Sequence, residues 1–214
     1  MTESNKSPEL VSAKVIQRSL GIVGLLFPLI LYLGNLIIFD ESKLQSSLSG
    51  YYNTPMRDVF VGVLFSFAVA LMAYKGYELI DNIIGDFAAI AAVGVALFGT
   101  PAEGVDDPTA RITHGIFSIL FYGSLVIFAI WLFRKSAPGT KPTEKKVRRN
   151  QIYLVSGIVM LISIVIIALT WLFDLDLLVG TAIFWFETLA NTAFGVSWFV
   201  KGGLIPALND EPHN

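Results

Sequence analysis

Six long apolar runs, each close to the ~20 residues a helix needs to cross a bilayer, leave this chain few ways to fold. They cover about Leu20–Phe39, Arg57–Tyr74, Ile83–Gly99, His114–Phe133, Gln151–Phe173 and Thr181–Val200. Charged residues make up only 15% of the 214 and gather between the runs, whereas a soluble domain carries about a quarter. The expected fold is all-α: a polytopic membrane protein built as one bundle of six transmembrane helices. Residues 1–19 are expected to form a cytoplasmic segment, 20–203 the membrane domain and 204–214 a cytoplasmic tail.

Lysine and arginine set the expected orientation, because they concentrate in short loops on the cytoplasmic side. Twelve of the fifteen lie on the side that holds the N-terminus, the 75–82 turn, the 134–150 loop and the tail. Lys43, Arg57 and Arg111 remain for the other side. Both termini are thus expected in the cytoplasm, with the chain a multi-pass protein of the inner (plasma) membrane. The polar N-terminus lacks an apolar core followed by a small-residue cleavage site, so the first span is read as the insertion signal. Cysteine is absent, which removes disulfides, thiolate metal sites and a cysteine nucleophile.

Small residues mark where helices approach closely in lipid. Gly85, Ala89, Ala92, Ala96 and Gly99 follow a 4-3-4-3 spacing and make the third span the candidate central helix. Asp58, Gly62, Ser66 and Ala70 recur every four residues in the second span, which places Asp58 on a packed face directed into the bundle. Pro28 deletes a backbone donor inside the first span and should kink it, a defect that neighbouring helices can repair. His114, Ser118 and Tyr122 stack at i, i+4 and i+8, so His114, opening the fourth span at the interface, is expected to face inward.

Polar chemistry concentrates in Ser47–Asp58, a turn-rich stretch between the first two spans, and in the sixth span. Glu187 is the most informative residue. An ionisable group at membrane depth costs several kcal/mol unless paired, hydrated or protonated. It reads as a metal ligand, general base or proton carrier, or else as a structural carboxyl bonded to Arg57, a tyrosine or Asn191. Glu187, His114 and Asp58 are the candidate catalytic residues, expected to converge toward the outer leaflet. The same three are the candidate ligands of a metal such as zinc, a carboxylate-rich set that departs from the usual histidine-rich site. Asp58 has a plainer role available, complementing the dipole of its helix.

Candidate ligand-binding residues are Asn35, Ser49, Tyr51, Tyr52, Arg57 and Asn191. Arg57 is placed either against Glu187 or a phosphate, or snorkelling to headgroups; Tyr51 and Tyr52 also suit an interfacial belt. No Gly-x-Ser-x-Gly elbow frames Ser47 or Ser49. Walker loops, dinucleotide fingerprints and His-Glu-x-x-His helices are missing. The basic 134–150 loop lacks the aromatic residues that single-stranded nucleic acid would need.

Several segments read together carry a resemblance: Ser47-Leu-Ser-Gly-Tyr-Tyr, Thr54-Pro-Met-Arg-Asp-Val-Phe-Val-Gly62, Tyr74-Lys-Gly-Tyr-Glu, Val95-Ala-Leu-Phe-Gly-Thr100, Arg149-Asn-Gln-Ile-Tyr153, Phe184-Trp-Phe-Glu-Thr and Phe194-Gly-Val-Ser-Trp-Phe-Val-Lys201. Over about residues 20–203 the chain resembles a family of bacterial six-pass membrane proteins carried as a domain of unknown function, a likeness that implies the topology and no reaction. It is more remotely similar to the seven-helix membrane hydrolases that include alkaline ceramidases, which set a serine, an aspartate and three histidines around zinc. Ser49, Asp58 and His114 match that pattern loosely; the second and third histidines and one helix have no counterpart.

Three functions are compatible with these residues. The first is binding or sensing of a lipid headgroup or small extracellular solute in an outward-facing polar pocket. The second is metal-dependent intramembrane hydrolysis of a lipid-like substrate, and the third proton-coupled transport through Glu187. Membrane lipids are the expected partners, and nucleic acid is not.

Overall fold

The computed structural model describes residues 13–137, 139–173 and 180–210. Residues 1–12 of the expected N-terminal segment and 211–214 of the tail lie outside them. Among the described residues every regular element is helical: α1 (Ala13–Phe39), α2 (Arg57–Met72), α3 (Leu79–Leu97), α4 (Pro108–Ile130), α5 (Glu144–Leu172) and α6 (Ala182–Lys201). Short 3-10 turns cover Ser49–Asn53, Leu132–Arg134 and Pro206–Leu208. Four helices are long and apolar enough to cross a membrane: α1, α3, α4 with its extension to Arg134, and α5. The chain is thus an all-helical protein with the marks of a membrane protein. Of the other two, α2 is short at 16 residues, and α6 dilutes its apolar residues with Glu187, Asn191 and Ser197.

Consecutive helices pack side by side, and α6 closes on α1 to complete a ring. Alternate helices run in opposite directions, so the ring has two ends. At one, Phe184 N–H donates to the Ser46 carbonyl and the Asn53 amide to the Thr100 carbonyl; we call this the lid end, and residues 40–56, which join α1 to α2 there, the lid. At the other, the tail end, Arg18 Nε donates to the Gly202 carbonyl and Lys135 bonds Glu78. The described start of α1 and end of α6 meet there. α1 and α2 touch only lightly, and the Ser49–Asn53 turn packs beside α2 at the lid end.

The tightest seam is α1 against α6. A Cβ added to Gly21 would lie 2.4 Å from the Phe199 backbone nitrogen, and one added to Gly195 would lie 2.6 Å from that of Leu25. Only glycine lets the two backbones come so close. Pro28 leaves the Gly24 carbonyl without its i+4 donor, and Asn191 on α6 supplies one: its Nδ2 donates to Gly24 O at 2.6 Å. A polar side chain on the sixth helix thus repairs a proline defect in the first.

Capping chemistry moves three helix starts outward from their expected positions. Asp107 accepts from Ala110 N–H at 2.9 Å with Pro108 in the first turn, an N-cap and N1 pair, so α4 begins six residues before His114. Thr143 accepts from Lys146 N–H at 3.0 Å, turning the second half of the basic loop into α5. Asp81 accepts from the Tyr77 and Glu78 amides and starts α3 at Leu79.

The small-residue reading holds for α3, where Gly85, Ala89, Ala92 and Ala96 are buried. It fails for α2. Asp58, Gly62 and Ser66 are exposed, and nothing lies within 4 Å of a Cβ added to Gly62. The interior is taken instead by Phe60, Leu64, Phe67, Ala68 and Leu71. The small residues are left outside.

From mid-height to the tail end aromatic rings fill the interior. Phe67 meets Phe194 at 5.3 Å between centroids, Tyr74 meets Phe128 at 4.9 Å, and Phe133 meets Trp198 at 4.9 Å and Tyr153 at 5.4 Å. All seven are buried. Toward the lid end lie Asn35, Ser49, His114 and Asn191, while Asp81, Ser124 and Ser197 are buried in the tail half.

Candidate functional site

Inside the ring, toward the lid end, Phe27 of α1, Leu48 and Ser49 of the lid, Phe60, Leu64 and Phe67 of α2, Val95 of α3, His114, Ser118, Phe121 and Tyr122 of α4, and Glu187 and Asn191 of α6 enclose a cavity of about 30 Å³. That is room for roughly two water-sized groups. Five helices and the lid contribute; α5 does not. The polar groups lie on three elements, the remaining wall being apolar and largely aromatic.

Glu187 binds the lid to α6. Its Oε2 accepts from Leu48 N–H and its Oε1 from Ser49 Oγ at 3.2 Å. With Phe184 N–H on the Ser46 carbonyl at 2.9 Å, three hydrogen bonds tie the lid to the first two turns of α6. No ion pair of the described residues includes Glu187. Each carboxylate oxygen can accept more than one bond, so acceptor capacity remains.

His114 is only 7% exposed and sits in the second turn of α4, deeper than a residue that opens the helix. Its Nδ1 lies 2.8 Å from the Phe98 carbonyl. A carbonyl only accepts, so Nδ1 carries the proton, and in the neutral ring Nε2 is an acceptor. Ser118 and Tyr122 follow on the same face and line the cavity as well. Asn191 is 2% exposed; with Nδ2 committed to Gly24, its carbonyl oxygen is the uncommitted end.

Of the residues singled out from sequence, Ser49, His114, Glu187 and Asn191 are therefore brought together. The rest are placed elsewhere. Asp58 is exposed in the first turn of α2, where an acid complements the helix dipole; the expected convergence of Asp58 with His114 and Glu187 does not occur. Arg57 reaches neither Glu187 nor the cavity. Its Nη2 donates to Tyr52 Oη at 2.7 Å and its guanidinium lies 4.4 Å from the Tyr52 ring centre. Tyr51 is buried beside Phe184, with 6.4 Å between ring centres. Asn35 is buried at the end of α1, where Nδ2 donates to the Glu41 carboxylate at 3.2 Å.

Seven wall residues were not read from the sequence: Leu48, whose amide holds Glu187, Leu64, Val95 and the rings of Phe27, Phe60, Phe67 and Phe121. The spacing of Phe60, Leu64, Phe67 and Leu71 at i, i+4, i+7 and i+11 is the signal that would have found the inner face of α2. The zinc reading does not fit these residues. Among the described residues no three His, Asp or Glu side chains gather as a metal-ligand group.

Neither models of known protein families, nor characterised proteins, nor solved structures give a match to this chain. The resemblance to six-pass bacterial proteins gains no support from them.

Proposed function

We propose that the chain is a six-pass protein of a cell's inner membrane that binds or senses a small polar solute or lipid headgroup group in the ring cavity, with the lid end facing outward. The observation that carries this reading is the cavity itself: Ser49, His114, Ser118, Tyr122, Glu187 and Asn191 meet in an otherwise apolar, aromatic-walled space. Placing such groups in the membrane is expensive, and structural pairing accounts for only part of their capacity. α2 and α6 connect the same two ends as their longer neighbours and complete the ring, which supports six crossings. The excess of lysine and arginine at the tail end supports a cytoplasmic tail end.

The aromatic plug favours binding over proton-coupled transport, because Phe67, Phe194, Phe128 and Trp198 pack together below the cavity. The scattered carboxylates favour it over metal-dependent hydrolysis.

Native mass spectrometry of the detergent-released protein tests the reading. A bound small molecule or lipid should appear on the wild type and disappear from Ser118→Leu, which fills the cavity, with helicity retained. Identical adducts on both would refute a cavity ligand. For orientation, the cysteine-free chain allows single cysteines at exposed Ser42 and Thr140. An impermeant maleimide should label the first in intact cells and the second only after lysis; the reverse would overturn the topology.

A further inference from the structure

We infer that the group received by the cavity is a protonated primary amine, an –NH3+ head carried by a lipid of the ethanolamine type or by a small soluble amine. The inference rests on the cavity being a binding site and names what it binds. Three features of the lining converge on this chemistry.

The first is charge. Among the described residues Glu187 is the only acidic residue of the lining, and no lysine or arginine is among the thirteen that enclose the space. An ionised carboxylate without a counter-charge is costly in a low-dielectric interior, and an incoming cation removes that cost. The second is hydrogen-bond polarity. Glu187 offers carboxylate lone pairs, His114 offers Nε2 once Nδ1 is committed to Phe98, and Asn191 offers its carbonyl oxygen once Nδ2 is committed to Gly24. Ser118 and Tyr122 carry hydroxyls that accept as readily as they donate. A lysine-like ammonium has three donors and no acceptor, the complement of this set. An anion would find donors only in the Ser118 and Tyr122 hydroxyls and the second Asn191 N–H, and would face the Glu187 carboxylate.

The third is the wall. Phe27, Phe60, Phe67 and Phe121 line the cavity, with Phe27 and Phe60 stacked at 5.8 Å and Phe67 set edge-on to Phe27 at 6.0 Å. Aromatic faces attract cations, more strongly where water is excluded. The volume, about 30 Å³, suits an ammonium head, and a trimethylammonium has no N–H to donate to these acceptors.

Thermal unfolding of the full chain in detergent, titrated with methylammonium, ethanolamine, tetramethylammonium, acetate and ethylene glycol, tests the assignment. Nanodiscs of phosphatidylcholine with and without phosphatidylethanolamine provide the lipid arm. The two small amines, the ethanolamine lipid, or both should raise the midpoint saturably, while tetramethylammonium and acetate leave it unchanged. A response to the lipid alone assigns a headgroup, and one to the free amines assigns a soluble ligand. In Glu187→Gln, whose amide oxygen can still accept from Leu48 N–H while its NH2 donates to Ser49 Oγ, the apparent amine affinity should fall at least ten-fold; Ser118→Leu should abolish the response. Amine responses equal in wild type and Glu187→Gln would overturn the inference. So would a Ser118→Leu-sensitive response confined to acetate or ethylene glycol, which would leave the cavity a binding site for another chemistry. Silence to every probe, with co-purified adducts identical in wild type and Ser118→Leu, would overturn both readings.

Discussion

Replacing Asn191 with leucine should cost far more in the native chain than in one where Pro28 has become alanine. Pro28 removes the donor for the Gly24 carbonyl, and Asn191 Nδ2 restores it across the α1–α6 seam at 2.6 Å. Asn191→Leu keeps the side-chain volume close and deletes that donor, leaving a buried carbonyl unpaired at a seam where Gly24, Phe194 and Gly195 approach closely. An unsatisfied buried acceptor costs about 1–3 kcal/mol; the absence of slack in this seam argues for ~2 kcal/mol. In a Pro28→Ala background the residue 28 amide can close the ordinary i to i−4 bond, and the same leucine substitution should cost less than ~1 kcal/mol, so the cycle should show a coupling of about 1–2 kcal/mol. Equilibrium unfolding in mixed detergent micelles, followed by far-ultraviolet circular dichroism, measures all four proteins. Additivity within ~0.3 kcal/mol would refute the idea that Asn191 exists to repair the proline defect.

Other parts of the structure give outcomes as sharp. Gly21→Ala drives a methyl against the Phe199 backbone and should destabilise by about 3 kcal/mol, the upper end for overpacking because backbone cannot rotate away. Gly62→Ala meets nothing and should be neutral or stabilising by up to ~1 kcal/mol; equal effects in thermal unfolding would contradict the seam. Lys135 bonds Asp81 at 2.5 Å and Glu78 at 2.7 Å. Burial alone would lower its ammonium, but those two acids hold it above the ordinary lysine value. Its stabilising contribution should be full below the unfolded lysine pKa of about 10.4 and fade as pH rises through the raised folded value, a fade missing from Lys135→Met. The hydrogen bond from Thr143, then that from Arg149, hold the Asp210 carboxylate below its usual range. Its contribution is therefore present above about pH 3.9 and lost as pH falls through the lowered value. Asp210→Asn should be less stable than wild type at pH 7, with the gap closing in acid; a constant gap from pH 7 to 3 would show that the ion pair contributes nothing.

How far the chain could be read from its residues depended on which signal was at work. The apolar runs located every helix, because covering hydrocarbon demands unbroken apolar length. The ends were misjudged wherever a polar cap lies beyond the apolar run: Asp107-Pro108, Thr143 and Asp81 start helices in segments that hydropathy assigns to loops. Small-residue spacing worked on α3 and misled on α2, since a four-residue rhythm says that helices can approach there and not that one does. On α6 the sites of closest approach, Gly195 and the Phe199 backbone, were overlooked because large aromatic neighbours mask them. For the site, a buried carboxylate and a histidine followed at helical spacing by Ser118 and Tyr122 were visible. The exclusion of Asp58 was not, because one helix rotation decides it and the sequence fixes rotation only through the whole apolar stripe.

The lid ties these observations together. Its Leu48 amide and Ser49 hydroxyl both spend themselves on Glu187, so the residue that gives the cavity its charge is also the latch that closes it. A ligand that competes for the carboxylate weakens the latch, and one that bridges the carboxylate to His114 or Asn191 strengthens the closed ring. α1 and α2 are only lightly packed against each other, on the side of α1 opposite the glycine seam. In the proposed reading, recognition and closure both depend on one carboxylate, held on the helix whose next turn repairs the break at Pro28.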